Sequence, residues 1–490
     1  MKDDFNSYSQ NYLLIFLFTI FIFVKLALIK HVPLINDETY TLTISRYLSL
    51  SYFDHPPLMS WISNLFHFFK VQEAYYFRVP HIIFGTLTSF FIYRIGALIY
   101  SRQTGVFAAI LYFISPFFFF SGGFFLVPDG ILNFSVAGAT YFATKIIFGN
   151  ENKSYFWFAL GLLLALAFLS KYQSYFFALA LFVAFLIWKR EVFLNPNFYF
   201  SFIISVCGLL PVIIWNIENN FDSLSFHQTR SSFTFDIFHA VNSILLQSMF
   251  LLPTTAILIC ISLVNYIQSK KREESFLILL SFPTILIFNF FMIASENSFA
   301  HWSMMGWMLL IPMASNNLNL FKTSLKKFLL IKTLNVFLIF SSILVLLIHA
   351  QTGFLTKSYA REIPDWDDTR ELLNWKHIAE TISDNLNESE LKSIATLNWY
   401  DSGQLNVALS HKYHVGVIGP NSNHFKYINL NSGKFFTLVV VRLINNKKHE
   451  NLTDLIQALG YKINKVNTLP LLRGSQNYGT ISLLSIEKEN

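Results

Sequence analysis

Apolar runs of membrane-spanning length recur through the first 350 residues of this chain, and they constrain its architecture more than any other feature. Their approximate limits are 12–30, 80–100, 104–121, 131–148, 155–170, 174–188, 199–215, 241–267, 275–293, 302–318 and 329–350, about eleven in all. A span needs about 20 mostly apolar residues. In lipid each must be helical, because hydrocarbon offers no partner to an open backbone amide or carbonyl. The 490 residues are 53% hydrophobic and 13% charged, whereas a soluble domain carries roughly a quarter charged residues. The expected fold class is mainly α: a polytopic membrane helical bundle.

The basic residues predict its orientation. With the N-terminus inside, the cytoplasmic segments hold Lys2, Arg94, Arg102, Lys189, Arg190, Lys270, Lys271 and Arg272, among others. The opposite loops hold fewer: Arg46, Lys70, Arg78, Lys171 and Arg230. The positive-inside rule therefore predicts a cytoplasmic N-terminus, and an odd number of spans puts the tail outside. The formal charge of +7 reads as topology, not as a nucleic-acid footprint. Cys207 and Cys260 fall within apolar runs, which leaves no disulfide framework and no zinc-type spacing.

From about Gln351 long apolar runs stop and charges return. Ser393–Tyr400, Phe435–Leu443 and Thr480–Glu487 read as strands, and Trp375–Ile382 and Leu452–Leu459 as helices. Residues 1–350 are thus expected to form the transmembrane domain and residues 351–490 a small C-terminal α/β domain outside the membrane. The loop at 31–79 is long, and Tyr40–Leu50 within it reads as an amphipathic helix lying along the membrane interface.

Chemistry-bearing residues gather on the outer side of this topology. Asn36-Asp37-Glu38-Thr39-Tyr40 follows the first span, and Tyr52-Phe53-Asp54-His55-Pro56-Pro57-Leu58 lies further along the same loop. Adjacent helical residues point about 100° apart, so Asp37 and Glu38 would not share one proton. One can act as a general base while the other caps or pairs elsewhere, and helix capping alone also accounts for such acids. Asp129 in Val127-Pro128-Asp129-Gly130 is a helix cap or a second acid at the same surface. Lys171 is a snorkelling anchor or a lipid-phosphate ligand. His227 and Arg230, in Phe226-His227-Gln228-Thr229-Arg230, suit a phosphate, since a guanidinium fork donates two hydrogen bonds at once. His301-Trp302 opens a span as a belt element or a sugar contact. No metal-ligand spacing stands out; Asp54 and His55 would hold an ion only with further ligands, so a divalent cation is a possible but unassigned cofactor. No glycine-rich nucleotide loop appears, which disfavours a nucleotide-sugar donor.

The stretches Asn36–Tyr40 and Tyr52–Leu58 resemble bacterial members of glycosyltransferase family 39, relatives of the dolichyl-phosphate-mannose protein mannosyltransferases, and are similar to lipid A aminoarabinose transferases. Pro128-Asp129, Gly161 through Lys171-Tyr172, Phe226-His227 and His301-Trp302 follow in the family's order, covering about residues 12–320. The resemblance implies the GT-C fold, an outer-face active site and a sugar donor carried on an undecaprenyl-type polyprenyl phosphate. It assigns Asp37 as catalytic base and Asp129 as second acid. His55, Lys171, Arg230 and His227 are expected to face the donor phosphate or lipid, with Glu38, Asp54, Tyr40 and His301 in support. By the same resemblance, the lysine that the aminoarabinose transferases carry near the lipid phosphate is replaced here by His55, whose charge depends on pH. The expected activity is inverting transfer to an envelope glycolipid, lipid A favoured, at the periplasmic face of the bacterial inner membrane. The alternatives are a protein hydroxyl as acceptor, or a transporter or flippase of lipid-linked sugar.

Overall fold

The computed structural model describes residues 2–229, 237–294, 299–318, 367–372, 375–385, 393–432, 436–444, 452–473 and 476–488, with scattered positions between 337 and 354. They fall into two compact units. The first comprises Met1–Ile29, Ser49–Met59 and Tyr76–Ile339; the second comprises Lys30–Leu48, Ser60–Tyr75 and Phe340–Asn490. The long segment at 31–79 is therefore divided between them, and its acidic pair Asp37-Glu38 belongs to the unit that holds the C-terminal residues.

The first unit is helical, and its helices track the apolar runs closely. Lys2–Leu28, Val79–Ile99, Pro128–Ile147, Ser154–Ser170, Ser174–Trp188 and Arg272–Ala294 each begin or end near the predicted limits. Among the described residues three helices are long and apolar enough to cross a membrane: Ala74–Ile99, Pro196–Glu218 and Arg272–Met292. Leu14–Leu28, Arg102–Ile114, Ser154–Ser170 and Ser174–Trp188 are shorter apolar helices. Two runs differ from a simple span. The run at 104–121 is cut at Ser115, whose extended backbone separates Arg102–Ile114 from the turn Pro116–Phe119. The run at 241–267 bends by 101° between Ala240–Leu251 and Pro253–Ser269. Pro253 disfavours the helical region for the residue before it, and Leu252, at φ 69° and ψ 132°, is non-helical. The run at 329–350 lies mostly outside the described residues.

Two buried cations tie the first helices to the Phe-rich turn at 117–125. Lys25 Nζ donates to Gly123 O at 2.8 Å and lies 5.1 Å from the Phe119 ring centre. Arg78 is fully buried, donates to Ile29 O at 2.9 Å and stacks 4.8 Å from Phe124. Gly85 and Gly123 make this approach feasible: a Cβ on Gly85 would lie 2.5 Å from Gly123 Cα. Further along, Gln247 bridges three helical segments. Its Nε2 donates to Asn289 Oδ1 at 2.7 Å, and its Oε1 accepts from Ser303 Oγ at 2.6 Å and Trp307 Nε1 at 2.8 Å.

The second unit is built on a five-stranded sheet of order β2-β1-β3-β5-β4, with β1 Ile394–Asn398, β2 Val415–Asn421, β3 Leu438–Ile444, β4 Tyr461–Arg473 and β5 Gln476–Lys488. β1 pairs in parallel with β2 and β3, and the β4–β5 ribbon adds antiparallel to β3. The α/β character expected of the tail is present. The strand predicted to reach Tyr400 stops at Asn398, whose side chain accepts from Asp401 N at 2.8 Å and starts the helix Trp399–Ala408.

The interfacial helix expected at Tyr40–Leu50 is not formed. The helix is Asn36–Ile44, and all seven residues from Glu38 to Ile44 are buried. An interfacial helix keeps one face wet; this one is enclosed because it packs along Trp399–Ala408. Sequence periodicity reports the pattern of one segment and cannot register a partner helix some 360 residues away.

Candidate functional site

In the first unit the site is built at one end of an antiparallel helix pair. Pro128–Ile147 and Ser154–Ser170 are joined by a short turn, so the start of the first and the end of the second lie at the same end. Pro128 presets the first turn, and Asp129 follows it just before the apolar run that begins at Ile131. Lys171 caps the second helix in an extended conformation (φ −159°, ψ 141°). Its ammonium does not snorkel; it lies 2.9 Å from each carboxylate oxygen of Asp129. The two side chains are only 8% and 5% exposed, which makes this a desolvated ion pair. Burial opposes ionisation of Asp129, but the charge of Lys171, then of His301 and His55, outweighs it and holds the carboxyl below its ordinary range. Asp129 is thus not a helix cap.

His55 and Asp54 stand beside one another, with Nε2 and Oδ2 3.8 Å apart. A ring nitrogen of His227 lies 3.1 Å from Asp54 O, and the His227 ring meets Tyr172 edge-on at 5.1 Å. Tyr172 in turn shares a 2.7 Å hydrogen bond with Ser223. His301 lies in the turn Ala300–Ser303, stacked on Phe299. The first unit thus links Asp54, His55, Asp129, Lys171, His227 and His301 through direct contacts or near charges. Tyr172 entered the sequence reading only as the end of the family piece Gly161 through Lys171-Tyr172, and Ser223 carried no signal there. Arg230 lies outside the described residues. Among the described residues no group of three or more His, Cys, Asp or Glu side chains converges as a metal cage.

The second unit holds Asp37, Glu38 and Tyr40 on the Asn36–Ile44 helix. Glu38 is fully buried, and its Oε2 accepts from Ile35 N at 3.0 Å, so it closes the helix start. Asp37 is exposed in the same first turn. The adjacent acids have divided into one structural and one accessible carboxylate. Tyr40 is buried; its hydroxyl accepts from His424 N at 3.1 Å, and its ring meets Trp399 edge-on at 5.0 Å.

Chemically, Asp129 with both oxygens on Lys171 is a poor proton acceptor. The pair is a fixed, water-poor dipole, bordered by two histidines that can add positive charge. Asp37, by contrast, is exposed to solvent.

Residues 54–215 match the family model described as dolichyl-phosphate-mannose-protein mannosyltransferase. No curated protein matches the sequence. The fold is shared with ArnT from Cupriavidus metallidurans in the apo state, at TM-score 0.62 and 12% identity over 98% of each chain. ArnT from the same organism bound to undecaprenyl phosphate matches at TM-score 0.61 and 12% identity, over 96% of this chain and 97% of that one. The archaeal oligosaccharyltransferase AglB from Archaeoglobus fulgidus, in complex with an inhibitory peptide and a dolichol-phosphate, matches at TM-score 0.52 and 11% identity, over 88% of this chain and 70% of that one.

Proposed function

We propose that this integral membrane chain, with a mannosyltransferase-family segment over residues 54–215 and the fold of ArnT over nearly its whole length, is a glycosyltransferase that uses a polyprenyl-phosphate sugar. The observation that carries this reading is the buried Asp129–Lys171 pair with His55 and His301 beside it. Such an arrangement suits a reaction that releases an anion at a lipid-facing site.

The reaction written for these residues is an inverting displacement. Asp37 takes the proton from the acceptor hydroxyl. The oxygen attacks the anomeric carbon as the bond from that carbon to the phosphate oxygen breaks. The electron pair leaves with the polyprenyl phosphate, whose growing negative charge is met by cations already in place. Preorganised donors of this kind contribute about 10²–10³ in rate each. His55 and His301 are the favoured cations, since Lys171 is already neutralised by Asp129; Arg230 and His227 complete the phosphate set.

In the finer reading the bundle has about eleven spans, the N-terminus is cytoplasmic and the site faces the periplasm of the bacterial inner membrane. The acceptor is an envelope glycolipid, with lipid A favoured. Residues 1–350 form the catalytic bundle and residues 351–490 the outer domain. The test is mass spectrometry of envelope glycolipids from a deletion strain carrying either the natural gene or Asp37→Asn. Loss of one sugar in the variant, with membrane insertion unchanged, is expected. An unchanged sugar complement in the variant removes Asp37 as base.

A further inference from the structure

The helix that carries Asp37 is held by the C-terminal part of the chain at unusually close range. Gly403 lies inside the helix Trp399–Ala408, where glycine is unfavourable by about 1 kcal/mol relative to alanine unless contact demands it. Here contact does: a Cβ on Gly403 would lie 2.7 Å from Tyr40 N, 2.9 Å from Tyr40 Cα and 3.1 Å from Thr39 C. All three are backbone atoms, which cannot swing aside as a side chain would. One position on, Gln404 Nε2 donates to Asn36 Oδ1 at 2.9 Å and to Leu34 O at 3.2 Å. Tyr40 is pinned by His424 N and by Trp399. Asp37 therefore has a clamped residue immediately before it and a clamped residue three positions after it, while its own side chain is exposed.

We infer that Gly403 and Gln404 are positioning residues for the Asp37 carboxylate, so that the outer domain takes part in catalysis by setting the place of the base and is not only a cover or an acceptor platform. This rests on the reading of Asp37 as base. A base acts within about 0.5 Å of its productive position, and a misplacement near 1 Å can cost about 10² in rate. Bringing a Cβ at 2.7 Å out to ordinary contact displaces the Tyr40 backbone by several tenths of an ångström or more. Asp37 lies one helical turn away on the same rigid segment and moves with it.

The experiment uses the full-length protein in detergent or nanodiscs. Turnover of an undecaprenyl-phosphate sugar is followed per folded protein, quantified by size-exclusion chromatography. Gly403→Ala should lower kcat by about 10–100-fold with donor KM changed less than about threefold. Gln404→Ala, which introduces no clash, should lower kcat in the same direction by a smaller factor. In an Asp37→Asn background, Gly403→Ala should add little to the residual rate, because the group it positions is gone. A Gly403→Ala enzyme with wild-type kcat overturns the inference, as does a Gly403→Ala effect that multiplies in full on Asp37→Asn. Failure of the underlying reading is separate: Asp37→Asn alone would then keep the wild-type rate.

Discussion

Replacing Lys171 with methionine tests the electrostatics of the site most directly. The substitution keeps the length of the chain and removes its charge, leaving the Asp129 carboxyl in a position only 5% exposed. Breaking a buried pair in this way typically costs 3–5 kcal/mol. An independent bound comes from proton chemistry. An isolated buried carboxylate can take up a proton instead of remaining charged. Starting from an ordinary carboxyl pKa of about 3.9, that costs about 1.4 kcal/mol per pH unit, or about 4 kcal/mol at pH 7. The two estimates agree, so the expected loss at pH 7 is about 3–4 kcal/mol. The sign with pH follows. In the natural protein the folded pKa of Asp129 is lowered, so its contribution is present above pH ~4 and fades as pH falls through the folded value. In Lys171→Met the folded pKa is raised, and the deficit relative to the natural protein shrinks by up to about 1.4 kcal/mol per unit from pH 7 toward pH 5. Asp129→Asn should partly rescue Lys171→Met, giving a coupling above about 2 kcal/mol in a double-mutant cycle. The assay is reversible denaturant unfolding in mixed micelles at pH 5, 6 and 7. Additive single effects, or a stability loss that is flat with pH, would refute the reasoning. Natural stability combined with lost donor use would instead return Lys171 to the role of a phosphate ligand.

The two adjacent acids should separate cleanly: Glu38→Ala removes the bond to Ile35 N and should lower thermal stability by about 0.5–2 kcal/mol while activity per folded protein stays within a few-fold, in contrast to Asp37→Asn. Gln247→Leu strands the Trp307 and Asn289 groups inside the bundle and should cost about 1–3 kcal/mol in the same unfolding assay; no loss would mean that water reaches that network. The second unit should weaken in mild acid, because burial pushes His424 and His411 down to about 3. Each stays neutral when folded but gains a proton unfolded below pH ~6.5, so stability should fall as pH drops, by up to about 1.4 kcal/mol per unit for each group. Thermal melting of the second unit between pH 7 and 5 checks this, and His424→Gln should flatten part of the slope.

The apolar runs sufficed to predict most of the helices, because a segment in lipid must satisfy its own backbone and so declares itself by composition alone. In the first loop only the capping pattern was legible: Asp37-Glu38 lies in the first turn of a helix, whereas the helix expected at Tyr40–Leu50 is formed instead at Asn36–Ile44. The strands Ile394–Asn398, Leu438–Ile444 and Gln476–Lys488 were visible as apolar stretches, whereas Val415–Asn421 and Tyr461–Arg473 were not: the first carries glycine and proline, and the second is mostly exposed. Contacts between distant parts of the chain were beyond local pattern. The partner of Lys171 lies 42 residues back, and Gln404 reaches Asn36 across 368 residues. Tertiary pairing neutralises Asp129 with Lys171 and leaves Asp37 exposed, a difference that the sequence around the two acids does not show. Composition and periodicity thus determined the membrane bundle and which residues were chemically interesting. Only three-dimensional packing decided which of those residues are paired, buried or exposed, since charge pairing and close backbone approach depend on which distant segments fold against one another.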